Sequence, residues 1–459
     1  MAAAAARSTG AMEITRRLTA ICGPSFARFA GAADEVAGRA ARWVAVPGGA
    51  EAAAEVLRLA ARHDLSVVPR GAGTKIDWGA APARVDVMLD TGRLAGLGHQ
   101  PVDSPVAEIG AGTPLRAVQS ILERTGRRLP LDPSSPGATL GGVLAADEAG
   151  PLRHRYGTAC EQLVGLRWLD ADGELVSAGG AEPSAGPAPV GLDVGRLLCG
   201  SQGGLGVLVS ATLRVQAVPA SRVWVTRPVW TPLEVHDLVC AVLAARLDAA
   251  AVELDLPAAG SRSHGPVHPS LAAARANHPS MAGRRGEQSA ARGGAGTLAV
   301  LLEGGPADVT ERAERLVALF EGQASVLDAA PSWWRRYPFG PGDTALRIEV
   351  PITDLHAAVY ALRDAAGSPV PVRGSAGLGV VHAALPGSLP GERVASILAA
   401  VRGVLLARRG RCVVVNAPEP VRQAVDVWGE AAVIPRLRAA KDHLDPHRRL
   451  APGRLPGGL

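Results

Sequence analysis

Cysteine is sparse and scattered: Cys22, Cys160, Cys199, Cys240 and Cys412 stand far apart in 459 residues, with no C-x-x-C pair. Neither a zinc knuckle nor an iron–sulfur cluster finds its ligands in such spacing, and no metal site is expected. The five read as buried or idle thiols in a reducing compartment, which points to the cytoplasm. No segment approaches about 18 uninterrupted apolar residues, so membrane association would have to run through a partner. Arg7, Arg16 and Arg17 lie near the start, but Pro24 and Arg28 interrupt the stretch beyond them and no continuous apolar leader forms. An excess of one charge is also missing. The net charge of +5 arises from 48 basic against 43 acidic residues spread along the chain, which argues against a nucleic-acid partner. Absent too is G-x-G-x-x-G opening a helix after a strand, and with it a Rossmann dehydrogenase.

What is present is enough apolar sequence, 47% of residues, for more than one core, and a chain of this length is expected to divide into domains. From Trp43 onward the pattern becomes regular. A strand over Val44–Pro47 precedes a helix over Glu51–Arg62, whose Ala53, Val56, Leu57 and Ala60 recur at helical spacing. Strands are predicted at Leu65–Pro69 and Val85–Asp90, and a helix opening at Thr113-Pro114 and ending at Gly126, with Thr113 as its cap. Asp172-Gly173 marks a hairpin turn between Leu166–Leu169 and Leu175-Val176, and Gly204–Val215 reads as a long strand.

Strands and helices then alternate to Val415, predicting a second α+β domain whose antiparallel sheet is covered on one face. Residues 257–296 are rich in Ala, Gly, Ser, Arg, His and Pro without periodicity, and the composition predicts a disordered insertion. The first 39 residues are expected to be disordered or loosely packed. The cluster Trp333-Trp334-Arg335-Arg336-Tyr337 reads as a packing corner or a subunit contact.

Four glycine-bearing segments carry the chemistry. Arg70-Gly71-Ala72-Gly73-Thr74-Lys75 follows a strand; its backbone N–H groups can curl round a phosphate while Arg70 or Lys75 adds charge. Leu131-Asp132-Pro133 leads to Gly137-Ala138-Thr139-Leu140-Gly141-Gly142, where Thr139 can cap a helix and aim free N–H groups at an anion. Arg155-Tyr156-Gly157 is the third, and Gly200-Ser201-Gln202-Gly203-Gly204-Leu205-Gly206-Val207 the fourth. Taken singly, these are equally a tight turn, a helix cap or a β-bulge. In the second half, Arg347 could pair with a substrate carboxylate and His382 could accept a proton, though each is also an ordinary strand residue.

As a set in this order, across about residues 40–220, the segments resemble the PCMH-type FAD-binding domain of the vanillyl-alcohol-oxidase flavoproteins. The FAD-binding subunit of glycolate oxidase is the nearest likeness. Val85-Asp-Val-Met-Leu-Asp-Thr-Gly-Arg-Leu, Gly110-Ala-Gly-Thr-Pro-Leu, Leu197-Leu-Cys-Gly-Ser-Gln-Gly-Gly-Leu-Gly and the tail Leu444-Asp-Pro-His-Arg-Arg-Leu-Ala-Pro-Gly-Arg454 support it. The resemblance implies an α+β protein: an FAD domain of two α/β subdomains over 40–220, an α+β cap domain over 221–440, and a tail, 441–459, returning to the FAD domain.

It further implies that Arg70, Gly71, Ala72, Gly73, Thr74 and Lys75, with Thr139, Leu140, Gly141 and Gly142, hold the pyrophosphate. Asp132 and Pro133 belong to the same site. Arg155, Tyr156 and Gly157 would lie near the flavin, and Gly203, Gly204, Leu205, Gly206 and Val207 would line the dinucleotide. Relatives that attach FAD covalently carry His in an R-G-G-G-H loop; Thr74 stands there, so non-covalent FAD is expected.

The implied role is oxidation of a small 2-hydroxy acid, with electrons passing to a second flavin subunit and an iron–sulfur subunit. Three departures bear on it. Pro187-Ala188-Pro189-Val190-Gly191-Leu192-Asp193 replaces a polar stretch, Ala451 stands where L-N-P-G-R has Asn, and Ser375-Ala376-Gly377-Leu378-Gly379 replaces His-Ala-Gly-x-Gly. They leave room for a structural or electron-relay subunit with weak or no FAD; the fold also allows a standalone oxidase of another small alcohol or hydroxy acid.

Overall fold

The computed structural model describes residues 2–98, 104–179, 192–258 and 296–459. Most of the 257–296 insertion and of the Pro187–Asp193 departure therefore lies outside the described residues. The chain divides into two compact units, 1–218 with 430–459, and 219–429.

The first unit contains two four-stranded sheets. In one, strands Ala27–Phe29, Trp43–Ala45, Val87–Asp90 and Val67–Arg70 lie side by side in that order. The last three run parallel, Val67 opposite Val87 and Arg70 opposite Asp90. Helix Ala50–Arg62 covers this sheet, burying Ala53, Val56, Leu57 and Ala60 as their spacing predicts, together with Ala54 and Leu59. Each buried valine or leucine stabilises by about 1.5–3 kcal/mol.

The loose N-terminus expected for residues 1–39 is not what the structure shows. Ala2–Cys22 is a helix that buries Ile14, Leu18 and Cys22 in the same core, and Thr15 Oγ1 accepts a hydrogen bond from Trp43 Nε1 at 3.0 Å. The apolar residues are few but fall three to four apart, which one helix face can bury.

The other sheet is antiparallel, in the order Leu175–Gly179, Leu163–Leu169, Val207–Arg214, Val106–Gly110. Asp170 Oδ1 closes its hairpin by accepting from Asp172 N and Glu174 N, both at 2.9 Å. Helices Leu115–Glu123 and Leu140–Ala146 pack on this core through Leu115, Val118, Leu122, Leu140, Val143 and Leu144. Thr113 does not cap the first of them: its hydroxyl bonds to Gly96 N (2.9 Å) and Gly96 O (3.1 Å), and Pro114 occupies the cap position. The hydroxyl instead completes the backbone bonding of the loop before strand Val106–Gly110.

The C-terminal residues 430–459 complete this unit. Leu450 forms a parallel bridge with Val67; Val67 N donates to Arg449 O and Ala451 N to Val67 O. At the turn into it sits a fully buried ion pair, Lys441 Nζ to Asp445 Oδ2 at 2.7 Å. Lys441 also donates to Gly204 O and Leu450 O at 2.6 Å each. Asp445 accepts in addition from Arg449 N and Leu450 N.

The second unit is one eight-stranded antiparallel sheet. Its order is Ser325–Leu327, Ser221–Val229, Gly296–Gly304, Ala251–Leu256, Val372–Ser375, Val380–Leu385, Thr344–Glu349, Arg411–Asn416. Helices Pro306–Leu319, Pro232–Ala244, Leu355–Ala366 and Gly391–Leu406 touch in that sequence and form a layer on it. The expected α+β architecture with an antiparallel C-terminal sheet is present. Trp334 is buried edge-on to Trp224, ring centres 6.1 Å apart, so the tryptophan cluster contributes a packing corner. No described helix is long and apolar enough to cross a membrane.

Candidate FAD site

The parallel strand Val67–Arg70 ends where the chain must turn, and the turn is built on glycine. Gly73 adopts φ +73°, and a Cβ on Gly71 would come within 2.3 Å of Thr139 Oγ1. The turn therefore abuts the start of helix Leu140–Ala146 with no room for a side chain. Between the two opens a cleft enclosing about 860 Å³ of empty space, counting the part open to solvent.

Of the residues singled out in the sequence, Arg70, Gly71, Ala72, Gly73, Thr74, Lys75, Thr139, Gly141, Gly142, Gly203 and Gly206 line this cleft. Segments more than a hundred residues apart thus meet. Gly203, at φ +76°, leaves 2.8 Å between a hypothetical Cβ and Pro69 Cδ, which is why the fourth segment can approach the first.

The cleft's polar character is more specific than the sequence implies. Arg70 is not offered to a ligand: it pairs with Asp90 (2.9 Å) and Asp34 (3.3 Å). Lys75 is buried against the Glu148 carboxylate and Ser135 Oγ, with its ammonium 4.6 Å from the Trp78 ring centre. Burial pushes the Lys75 pKa below its ordinary value, the Glu148 charge opposing the shift. Both expected phosphate cations are thus tied to carboxylates of the fold, because a cation held in a partly buried turn needs a counter-charge.

The helix start is engaged as well. Leu140 N donates to Thr113 O and Gly141 N to Ala111 O, while Gly142 N donates to Thr139 Oγ1 at 3.2 Å, the cap the sequence predicts. The main-chain N–H groups of Gly71, Ala72, Gly73 and Thr74, by contrast, have no acceptor among the described residues. Consecutive unbonded N–H groups in a turn with a left-handed residue form an anion-binding concavity. An apolar wall of Val68, Pro69, Ile76, Trp78, Ala111, Ala145, Ala146 and Leu208 adjoins it. Backbone donors beside an apolar trough match a dinucleotide's phosphates and flat rings.

Several lining residues escape sequence reasoning. Arg454 donates to Ile76 O (2.9 Å), Trp78 O (2.7 Å) and Gln202 Oε1 (3.1 Å), so the tail fixes the far wall. Both Arg454 and Gln202 stand in stretches that carry the family resemblance, and that is their signal. Ala451, buried two residues before Gly453, holds φ +39°, a backbone that the family's Asn would tolerate better.

Other expected site residues do not line the cleft. Leu140, Leu205 and Val207 are wholly buried in the core, and Gly204 supplies the carbonyl held by Lys441. Asp132 Oδ1 accepts from Leu152 N at 3.0 Å, shaping the loop that contains Pro133. Tyr156 OH accepts from Arg128 at 3.0 Å, Arg155 lies 5.4 Å from the Tyr156 ring centre, and Gly157 turns the chain at φ +78°.

In the second unit, Asp255, Arg373, His382 and Arg347 stand directly opposite one another on four adjacent strands. They alternate with the wholly buried Leu346, Ile348, Val381 and Ala383, and so share the other face of the sheet. Arg347 pairs with Glu349 at 2.5 Å, Arg373 with Asp255 at 2.8 Å, and the Tyr337 ring meets His382 edge-on at 4.9 Å.

A turn of free backbone donors beside an apolar trough has the chemistry to hold a nucleotide cofactor outside the Rossmann class. Residues 41–179 match the family described as "FAD binding domain". The chain is 31% identical over 172 residues to a D-lactate dehydrogenase of Archaeoglobus fulgidus, covering 38% of each. It is 32% identical over 181 residues to a D-2-hydroxyglutarate dehydrogenase of Xanthomonas citri pv. viticola (38% of this chain, 37% of the relative). To glycolate oxidase subunit GlcD of Bacillus subtilis it is 25% identical over 180 residues (39% and 38%). The matches thus span about two fifths of these curated relatives.

Among solved structures, p-cresol methylhydroxylase with substrate bound shares the fold at TM-score 0.69 and 15% identity, over 97% of this chain and 96% of that one. An alkyldihydroxyacetonephosphate synthase does so at 0.67 and 16%, over 96% and 86%. Over residues 41–179 the first unit thus carries a PCMH-type FAD-binding domain. Its cofactor is FAD.

Proposed function

We propose that this chain is the FAD-binding subunit of a glycolate oxidase-like 2-hydroxy-acid oxidoreductase. The observation that carries the reading is the cradle of unbonded N–H groups at Gly71–Thr74, set in a domain whose relatives are named for D-lactate, D-2-hydroxyglutarate and glycolate. The cradle holds the pyrophosphate, and the apolar wall excludes water from the rings. When bound, FAD supplies the two-electron acceptor. Among the described residues no His, Cys or Tyr lines the cleft, and Thr74 stands where the resembling R-G-G-G-H loop has its His, which supports non-covalent binding.

Arg347 is the proposed partner of the substrate carboxylate, exchanging Glu349 for it, and His382 the proposed acceptor of the hydroxyl proton. Electrons then leave through a partner, since the scattered cysteines supply no cluster site; a second flavin subunit and an iron–sulfur subunit fit this need, and one relative is itself named as a subunit. The cytoplasm is the proposed location, consistent with five free thiols. Neutralisation of Arg70 and Lys75 favours the second reading, an electron-relay subunit with weak FAD.

Anaerobic mixing with glycolate, D-lactate and D-2-hydroxyglutarate tests the catalytic reading. One of them is expected to bleach the flavin band, and Arg347→Leu to raise its half-saturating concentration about ten- to hundredfold, as losing a hydrogen bond to a charged group of about 1.5–3 kcal/mol implies. A flavin indifferent to all three, in the presence of its native partners, would exclude 2-hydroxy-acid oxidation on this chain.

A further inference from the structure

We propose that the substrate is a monocarboxylic 2-hydroxy acid with a sizeable apolar side chain, and that Tyr337 and Phe339 select it. The inference rests on Arg347 taking the substrate carboxylate and His382 the hydroxyl proton, and it extends that reading to the rest of the substrate molecule.

Two guanidinium groups flank His382. Arg347 stands opposite it on strand Thr344–Glu349, and Arg373 stands opposite it on strand Val372–Ser375. A dicarboxylate would need both, so what each already holds decides between one substrate carboxylate and two. Glu349, the partner of Arg347, is held by Arg411 as well, whose Nε donates to Glu349 Oε2 at 2.6 Å. When a substrate carboxylate takes Arg347, the half-buried Glu349 therefore keeps a counter-charge.

Arg373 is placed differently. Its Nε and Nη2 each lie 2.8 Å from Asp255 Oδ1, and its Nη1 donates to Arg336 O and Tyr337 O at 3.2 Å each. Asp255 is 6% exposed and has no second cation among the described residues. Drawing Arg373 away would leave a buried carboxylate uncompensated, at a cost equivalent to more than about a hundredfold in affinity. One exchangeable guanidinium means one substrate carboxylate.

The remaining substituent has aromatic rings to meet. The bonds from Arg373 to the carbonyls of residues 336 and 337 tie this segment to the sheet. Tyr337 and Phe339 stack there with ring centres 4.9 Å apart and planes 13° apart, and both rings meet His382 edge to face, at 4.9 and 6.2 Å. Both are half-buried. The hydrogen of glycolate would leave this pair without contact, and a second carboxylate would lose water against it with no exchangeable cation to receive it. An apolar group gains both burial and ring contact. Of the three acids named for the anaerobic test, D-lactate comes nearest, with one methyl group.

Calorimetric titration of the full-length, FAD-loaded chain with 3-phenylpropanoate, propanoate and glutarate, unreactive acids that lack the hydroxyl, tests this apart from turnover. The expected result is that 3-phenylpropanoate binds at least about tenfold more tightly than either of the others. In Phe339→Ala the contrast with propanoate is expected to shrink to about threefold or less while propanoate affinity holds, a change that general loosening of the fold would not produce. Phe339→Leu, which keeps an apolar group, is expected to retain part of the contrast. Propanoate or glutarate binding as tightly as 3-phenylpropanoate, or a contrast unmoved in Phe339→Ala, would overturn selection by the aromatic pair and leave the carboxylate site standing. Binding of none of the three would instead remove the carboxylate site, and this inference with it.

Discussion

Gly71→Ala is expected to weaken FAD binding at least about tenfold, the equivalent of roughly 1.4 kcal/mol, while the protein stays folded. The added Cβ would lie 2.3 Å from Thr139 Oγ1, with Thr139 Cβ and Cγ2 at 3.5 and 3.6 Å. Turning the hydroxyl away does not solve the conflict. It gives up the cap on Gly142 N, a loss of about 1 kcal/mol, and brings the methyl group toward the same space. The turn must then shift away from the helix, and its N–H groups leave the arc in which they converge. The check is titration of the apoprotein with FAD by flavin fluorescence, beside circular dichroism to establish that the fold persists. An unchanged dissociation constant would mean that the turn does not hold the cofactor.

The largest effect on stability is expected at Lys441, a cation with no solvent exposure. Lys441→Met removes the counter-charge of the buried Asp445 and leaves the carbonyls of Gly204 and Leu450 without their donor. Breaking one side of a buried pair costs about 3–5 kcal/mol, because the other charge stays behind uncompensated. For a unit of this size each kcal/mol moves the melting temperature by about 2–4 °C, so a fall of roughly 10 °C is expected.

Lys441→Met with Asp445→Leu should recover part of the loss, since two apolar groups leave no orphaned charge. Thermal unfolding of the single and double variants checks this; a double variant less stable than the single would show that the bonds from Asp445 to Arg449 N and Leu450 N dominate instead. The clamp also bears on the cleft, because Gly204 follows Gly203 in its wall and Leu450 leads to Arg454.

Much of this is legible in the amino-acid order. The helix over residues 50–62 and the strand ending at Arg70 follow from apolar spacing, and the glycines at 71, 73 and 203 from turns and close approaches that exclude side chains. Periodicity reports what a residue does to its own element. It does not report long-range pairing. That Arg70 and Lys75 are claimed by Asp34, Asp90 and Glu148, and that Gly141 N is spent on Ala111 O, depends on segments far away in the chain. The same limit hides the role of Arg454. The N-terminal helix is hidden for another reason: its alanine-rich start masks three spaced apolar residues that one neighbouring core can bury.

The absorbance spectrum of the purified chain, taken before and after acid denaturation, bears most directly on the proposed main-chain phosphate cradle. Close to one FAD per chain, released unlinked into the supernatant, is the expected outcome. A folded, colourless protein that takes up no FAD when it is supplied would contradict the account.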